Sequence, residues 1–154
     1  MQIALYQPDI PQNVGSILRL CACMDAACHI IEPCGFILDD KRLKRVAMDY
    51  AEHARLHRHH SWERFLAVAR EQGWRVLLFS TKAAVDYCDF TFKASDVLLL
   101  GRESAGVPPA VADAADARLR IPIAPHTRSL NVSTAAAMAL GEALRQTRPR
   151  LKSI

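Results

Sequence analysis

No apolar run in these 154 residues approaches the roughly 20 that a helix needs to span a bilayer, so no membrane association is expected. A signal-peptide plan is also missing, since the chain goes directly into the strand-like Gln2-Ile3-Ala4-Leu5-Tyr6. A soluble, cytoplasmic protein is the expectation. The five cysteines, at positions 21, 23, 28, 34 and 88, form neither an even set nor a CxxC pair, which argues for reduced thiols. Cys21 and Cys23 are two apart on a predicted helix, point to different faces and cannot readily share a metal. No His-Glu-x-x-His is present. His53 and His57 would share one face of a helix, with His59 and His60 following, but no third ligand stands at metal spacing. This histidine run reads as a solvated polar surface, and no metal is expected.

What is present is a chain 51% hydrophobic, long enough for one substantial core and too short for two ordinary domains. One domain over residues 1–154 is expected, with no internal repeat, low-complexity tract or linker. Short apolar strand candidates recur at 2–6, 28–32, 75–79, 96–100 and 118–123, separated by stretches of helical period, which predicts an α/β fold with a mostly parallel sheet flanked by helices. Val14, Ile17, Leu18, Cys21 and Met24 form one helical stripe behind Pro11. Ser61 is placed to cap a helix through Glu71, and Gly73 to end it. Val132, Ala135, Ala136, Ala139, Leu140 and Ala143 repeat at three and four residues in the last helix. Residues 147–154 read as a basic surface tail.

The net charge is +4, unevenly placed. Lys41, Arg42, Lys44 and Arg45 cluster, as do Arg145, Arg148, Arg150 and Lys152. Such runs are usually solvated faces, but several on a small domain fit a polyanionic partner.

Two segments carry the chemistry. In the first, Asp96-Val97-Leu98-Leu99-Leu100 runs into Gly101-Arg102-Glu103-Ser104-Ala105-Gly106-Val107-Pro108 and then a helix-like Pro109 to Ala115. The glycines have P-loop separation, but Val107-Pro108 stands where Lys-Ser/Thr is required, so a triphosphate site is excluded, and GxGxxG is absent. The plain reading is a strand-to-helix turn in which glycine supplies backbone freedom; the functional reading is a ligand loop at the C-terminal end of a strand. In the second segment, Arg120-Ile121-Pro122-Ile123-Ala124-Pro125-His126-Thr127-Arg128-Ser129-Leu130-Asn131-Val132-Ser133 leads into the alanine-rich helix. Ser129, Asn131 and Ser133 are good helix-start residues, and capping alone could explain any one of them. Together, a strand end, a polar loop and a helix N-terminus make a site rich in backbone donors.

With Asn13 and Arg19, these two segments resemble the three motifs of the SPOUT RNA 2'-O-methyltransferases. Leu5-Tyr6-Gln7-Pro8-Asp9-Ile10-Pro11-Gln12-Asn13-Val14-Gly15, the strand His29-Ile30-Ile31-Glu32-Pro33 and Ser129-Leu130-Asn131-Val132-Ser133 are similar to the members acting on the tRNA wobble ribose. The resemblance covers about residues 2–146. It implies a SPOUT domain with a C-terminal trefoil knot, a homodimer, and S-adenosylmethionine as cofactor without a metal. It further implies methylation of the ribose 2'-hydroxyl of cytidine or modified uridine 34 in the tRNA anticodon stem-loop. Carried over residue by residue, the cofactor site comprises Phe79, Ser80, Thr81, Leu100, Gly101, Glu103, Gly106, Ile121, Ile123, Ser129 and Leu130. Arg19, Asn131 and Ser129 are the catalytic candidates. Relatives often carry proline where Arg102 stands, and some an aromatic residue where Gly141 stands.

A guanidinium stays protonated in proteins, so Arg19 is expected to stabilise the developing alkoxide or a phosphate and not to act as a base. The small residues Ala136, Ala139, Gly141 and Ala143 of the last helix, with the first helix bearing Arg19, are expected to form the homodimer contact. Two other readings stay open: the same chemistry on ribosomal RNA or another tRNA position, and a non-catalytic RNA-binding protein.

Overall fold

The computed structural model describes residues 1–47, 50 and 53–148, with only the backbone at Val46. Arg150, Lys152 and most of the expected tail lie outside the described residues. Seven strands form one sheet in the order β3-β2-β1-β6-β4-β7-β5, all pairs parallel. They are β1 (Gln2–Tyr6), β2 (Ala27–Ile31), β3 (Arg55–His59), β4 (Val76–Phe79), β5 (Val85–Asp86), β6 (Val97–Leu100) and β7 (Ala117–Arg120). The helices are α1 (Pro11–Cys23), α2 (Asp40–Ala47), α3 (Trp62–Glu71), α4 (Pro109–Ala114) and α5 (Val132–Thr147).

The central strands are unbroken apolar runs because both faces of the sheet are covered. Ile3, Leu5, Leu77, Phe79, Leu98 and Leu100 pack toward the face that holds α1, α2 and α5. The alternate residues Ala4, Tyr6, Val76, Leu78, Val97 and Leu99 pack with α3 and α4. The predicted stripe on α1 is buried at Val14, Ile17, Leu18 and Cys21, and Pro11 opens the helix. The Ser61 side chain accepts from the Arg64 amide to cap α3, and Gly73 follows with φ +66°.

Several expectations need correction. The histidine run is not helical: residues 55–59 form edge strand β3, paired in parallel with β2. Its Arg-Leu-His-Arg-His sequence lacks apolar alternation because an edge strand buries little, and charge there discourages pairing with other chains. On a strand, His57 and His59 share a face, where both stack near the ring of His29, which is 2% exposed. His29 Nδ1 lies 2.9 Å from His59 Nε2, and its Nε2 lies 2.8 Å from Gln2 Oε1. Strand β7 stops at Arg120 and does not reach residue 123, since Pro122 has no N–H for a ladder. The strand β5 is only two residues long and carries no periodic signal.

The final helix also differs. Ala136, Ala139 and Ala143 are at most 1% exposed and belong to the chain's own core, so they cannot form a homodimer contact. Their small size is used inside the chain, letting α5 lie close to α1 and β6. Gly141 alone of that set is exposed, on the same helix as Met138, which is 39% exposed.

Candidate active site

In a parallel sheet every strand delivers its following loop to the same edge, and ligands collect there. Here the loops after β1, β4, β6 and β7 meet at the C-terminal edge and enclose a cavity of about 780 Å³. Its walls include Phe79, Ser80 and Thr81 from the β4 loop, and Leu100, Gly101, Glu103 and Gly106 from the β6 loop. Ile121, Ile123, Ser129, Leu130 and Asn131 come from the long β7–α5 connection. All eleven positions expected to hold a cofactor, scattered over about 50 residues of sequence, therefore face one cavity. Arg19 does not line it. That residue is exposed on α1, its guanidinium 4.8 Å from the centre of the Tyr50 ring.

The β6 loop closes on itself. The Arg102 amide donates to the Gly106 carbonyl and the Gly106 amide to the Arg102 carbonyl, both at 2.9 Å. Gly106 has φ +63°, where a side chain would be strained. Gly101 is needed for a different reason, because a Cβ on it would fall 2.7 Å from the backbone of Gly106. The two glycines thus serve conformation at one position and close approach at the other.

Polar side chains fasten three of these loops together. Glu103 accepts from the Asp9 amide at 2.8 Å and from Asn13 Nδ2 at 3.0 Å. Asn13 Oδ1 accepts from Asn131 Nδ2 at 3.1 Å, and Asn131 Oδ1 accepts from the Ser133 amide at 2.8 Å. Ser104 donates from its amide and hydroxyl to Asp9 Oδ2, at 3.1 and 2.6 Å. Asn131 is thus the N-cap of α5 and a tie to α1, with both ends of its amide engaged. Glu103 has its two oxygens on the protein as well, which fits a residue that orients the loop. Ser129 remains exposed at the cavity wall.

Asp9, Asn13 and Ser104 are not among the site residues expected from the sequence, although Asn13 belongs to the motifs that carry the family resemblance. For Asn13 a further signal exists: it is the one polar side chain on the buried face of α1, only 7% exposed. Buried amides are found where partners await them. Asp9 and Ser104 had none, since their pairing links residues 95 apart. Arg102, where relatives carry proline, stands over the Tyr6 ring at 5.6 Å, and its Nε is shielded from solvent without a partner among the described residues. Among the described residues no cluster of His, Cys, Asp or Glu is arranged to hold a metal, and no helix is long and apolar enough to cross a membrane.

The chain is similar in sequence and fold to known proteins. A tRNA (cytidine(34)-2'-O)-methyltransferase of Beijerinckia indica subsp. indica is 58% identical over 144 residues, covering 94% of this chain and 90% of its own. A solved structure described as giving insights into the 2-OH methylation of C/U34 on tRNA superimposes with a TM-score of 0.88 at 39% identity, over 94% of each chain. An AdoMet-bound rRNA methyltransferase from Sinorhizobium meliloti superimposes at 0.85 with 29% identity, over 94% of this chain and 55% of its own. The model of the SpoU rRNA Methylase family matches residues 1–141, and the chain belongs to that family.

Proposed function

We propose that this protein transfers a methyl group from S-adenosylmethionine to the ribose 2'-hydroxyl of nucleotide 34, cytidine or modified uridine, in the anticodon stem-loop of tRNA. The observation that carries the reading is the cavity at the C-terminal sheet edge, which gathers the β4, β6 and β7 loops. Its fit to the cofactor is physical. Phe79, Leu100, Ile121, Ile123 and Leu130 supply apolar walls for a flat base, and Leu130 is 37% exposed there, as if awaiting a cover. The self-closed β6 loop sets Gly106 in the cavity wall with nothing within 4 Å of where its side chain would stand, leaving room for a ligand against the main chain. When bound, the cofactor supplies an electrophilic methyl on a sulfonium. The protein must align the hydroxyl with it and stabilise the charge that develops on oxygen.

Arg19 suits the second task, as a permanent cation. It lies six residues beyond Asn13, about 9 Å along the helix at 1.5 Å per residue, and so stands away from the cavity of its own chain. For this reason we place Arg19 at the cavity of a second copy. The homodimer rests on the exposed side of α5 around Ala137, Met138 and Gly141, and not on the buried alanines. Ser129, at the cavity wall, holds cofactor or ribose, while Asn131 positions α5 and the loop before it. The reading places the protein in the cytoplasm with its tRNA, as one domain. The chain's route supports a trefoil knot. After β5 it returns to lay β6 between β1 and β4, inserts β7 between β4 and β5, and crosses back to put α5 against α1. An experimental trace in which residues 121–131 pass outside the loop begun at residue 80 would remove the knot.

The test of function is nucleoside mass spectrometry of tRNA from a strain lacking the gene, paired with calorimetry of the purified protein. Loss of the 2'-O-methyl group at position 34, restored by the gene, is expected. A full complement of that modification in the deleted strain, or a flat titration of folded protein with S-adenosylhomocysteine, would overturn the reading.

A further inference from the structure

The fold neutralises its arginines selectively. Among the described residues Arg55 is matched to Asp25, Arg58 to Glu32, Arg70 to Asp116 and Arg118 to Asp113, at 2.5 to 3.0 Å. Helix α2 concentrates cations that are not so matched. Its sequence Asp-Lys-Arg-Leu-Lys-Arg-Val-Ala sets four cations against one carboxylate, and none of the four has a carboxylate partner among the described residues. Leu43 and Ala47, four apart, are 7% and 2% exposed and anchor the helix in the core beside α1. At about 100° per residue, this directs Lys41, Arg42, Lys44 and Arg45 outward over the remaining circumference, and all four are exposed. Tyr50, three residues past the helix, carries the Arg19 guanidinium on its ring. The basic face of α2 and the proposed catalytic cation therefore share one side of the molecule, while the cofactor cavity opens elsewhere.

We infer that the α2 face is the track for the tRNA phosphate backbone, gripping the stem flanking the target nucleotide while Arg19 meets the ribose. The inference rests on the functional reading above and adds the surface by which the substrate is held. A row of exposed cations without carboxylate partners among the described residues gains by displacing counterions from a polyanion, whereas cations already bound to carboxylates gain little. Arg42 and Arg45 contribute the same way, but Lys41 and Lys44 are the cleaner probes because glutamate keeps helix propensity at both positions.

The experiment measures binding of unmodified tRNA across a salt series, with methylation of the same tRNA as a parallel readout. For Lys41→Glu/Lys44→Glu, affinity should fall roughly tenfold or more at moderate salt and the log-log salt slope should shrink by about 1 to 2. The KM for tRNA should rise, while S-adenosylhomocysteine affinity and the melting temperature stay unchanged. Lys93→Glu, half that charge change at an exposed position ahead of β6, should have much less than half the effect on the logarithm of the affinity. If the glutamate pair unfolds the protein, Lys41→Gln/Lys44→Gln should lower the slope in the same direction. Wild-type protein that methylates tRNA beside a double variant with unaltered affinity and slope would overturn the inference and leave the function standing. A weakening by Lys93→Glu at least half as large on the logarithmic scale would also overturn it, by assigning the effect to net charge. Wild-type protein that neither binds nor methylates tRNA would overturn both.

Discussion

At Gly101 one hydrogen atom separates a working loop from a blocked one. A methyl there meets the Gly106 backbone at 2.7 Å, and main chain cannot swing aside as a side chain can. Gly101→Ala should weaken S-adenosylhomocysteine binding at least tenfold by calorimetry, with a smaller effect on the melting temperature; unchanged affinity would show that the loop opens without consequence. His29 gives a second prediction at this scale. Burial, then the nearby His57 and His59 rings, push its pKa down to about 3 from an ordinary 6.5. The folded chain therefore refuses a proton that the unfolded chain accepts, so stability is full above about 6.5 and declines as pH falls toward 3. Protonation would also put a proton on Nδ1, facing His59 across 2.9 Å. Urea midpoints measured between pH 7 and 4 should fall, and His29→Gln should flatten that fall; identical pH slopes in the two proteins would refute the assignment.

Elements are tied to one another by a few charged or polar side chains whose partners are remote in sequence. Asp96, fully buried ahead of β6, receives Arg75 from just before β4 at 2.8 and 2.7 Å and the Lys93 amide at 2.7 Å. Removing one partner of such a pair strands the other, which typically costs about 3 kcal/mol. Asp96→Ala should lower the denaturation free energy by about that amount without changing cofactor contacts, and a loss under 1 kcal/mol would mean that water replaces the carboxylate. At the other edge, Asn131→Ala removes the α5 cap and the tie to Asn13 together. A cap alone is worth about 1 kcal/mol. If the tie also positions the cavity wall, kcat should fall while Asn131→Ser, which can still cap, recovers stability but not rate; recovery of both would reduce the role of Asn131 to capping.

For the whole molecule, the decisive question is whether each site is built from two copies. Arg19→Ala chains and Gly101→Ala chains, each inactive alone, should regain part of the activity when mixed, because a heterodimer holds one intact pairing of cation and cavity. Sedimentation that finds a fully active monomer would defeat this, and failure to complement despite proven heterodimers would return Arg19 to its own cavity. Gly141 offers a check on the contact surface. With no neighbour within 4 Å of its added Cβ, Gly141→Ala should stabilise the helix by up to about 1 kcal/mol in a monomer. A weaker dimer in the same variant would locate a close helix contact at that point.

What could be read from the sequence follows from periodicity and local chemistry. The central strands are legible because burial on two faces demands uninterrupted apolar residues, and α1, α3 and α5 because stripes and caps are written within a few residues. The Gly101 and Ser129 segments are legible as motifs, since backbone freedom and helix starts require particular residues at particular spacings. The tertiary structure decided matters that depend on remote partners. Edge strand β3 carries no apolar pattern, and only its ladder to β2 makes His57 and His59 neighbours of His29. Whether the alanines of α5 face the core or a partner cannot be told from composition, because small residues suit either kind of close contact; the position of α1 settles it. Likewise Asp9, Asn13, Glu103 and Asn131 are ordinary polar residues along the chain, and become one network only when parallel strands deliver their loops to a common edge.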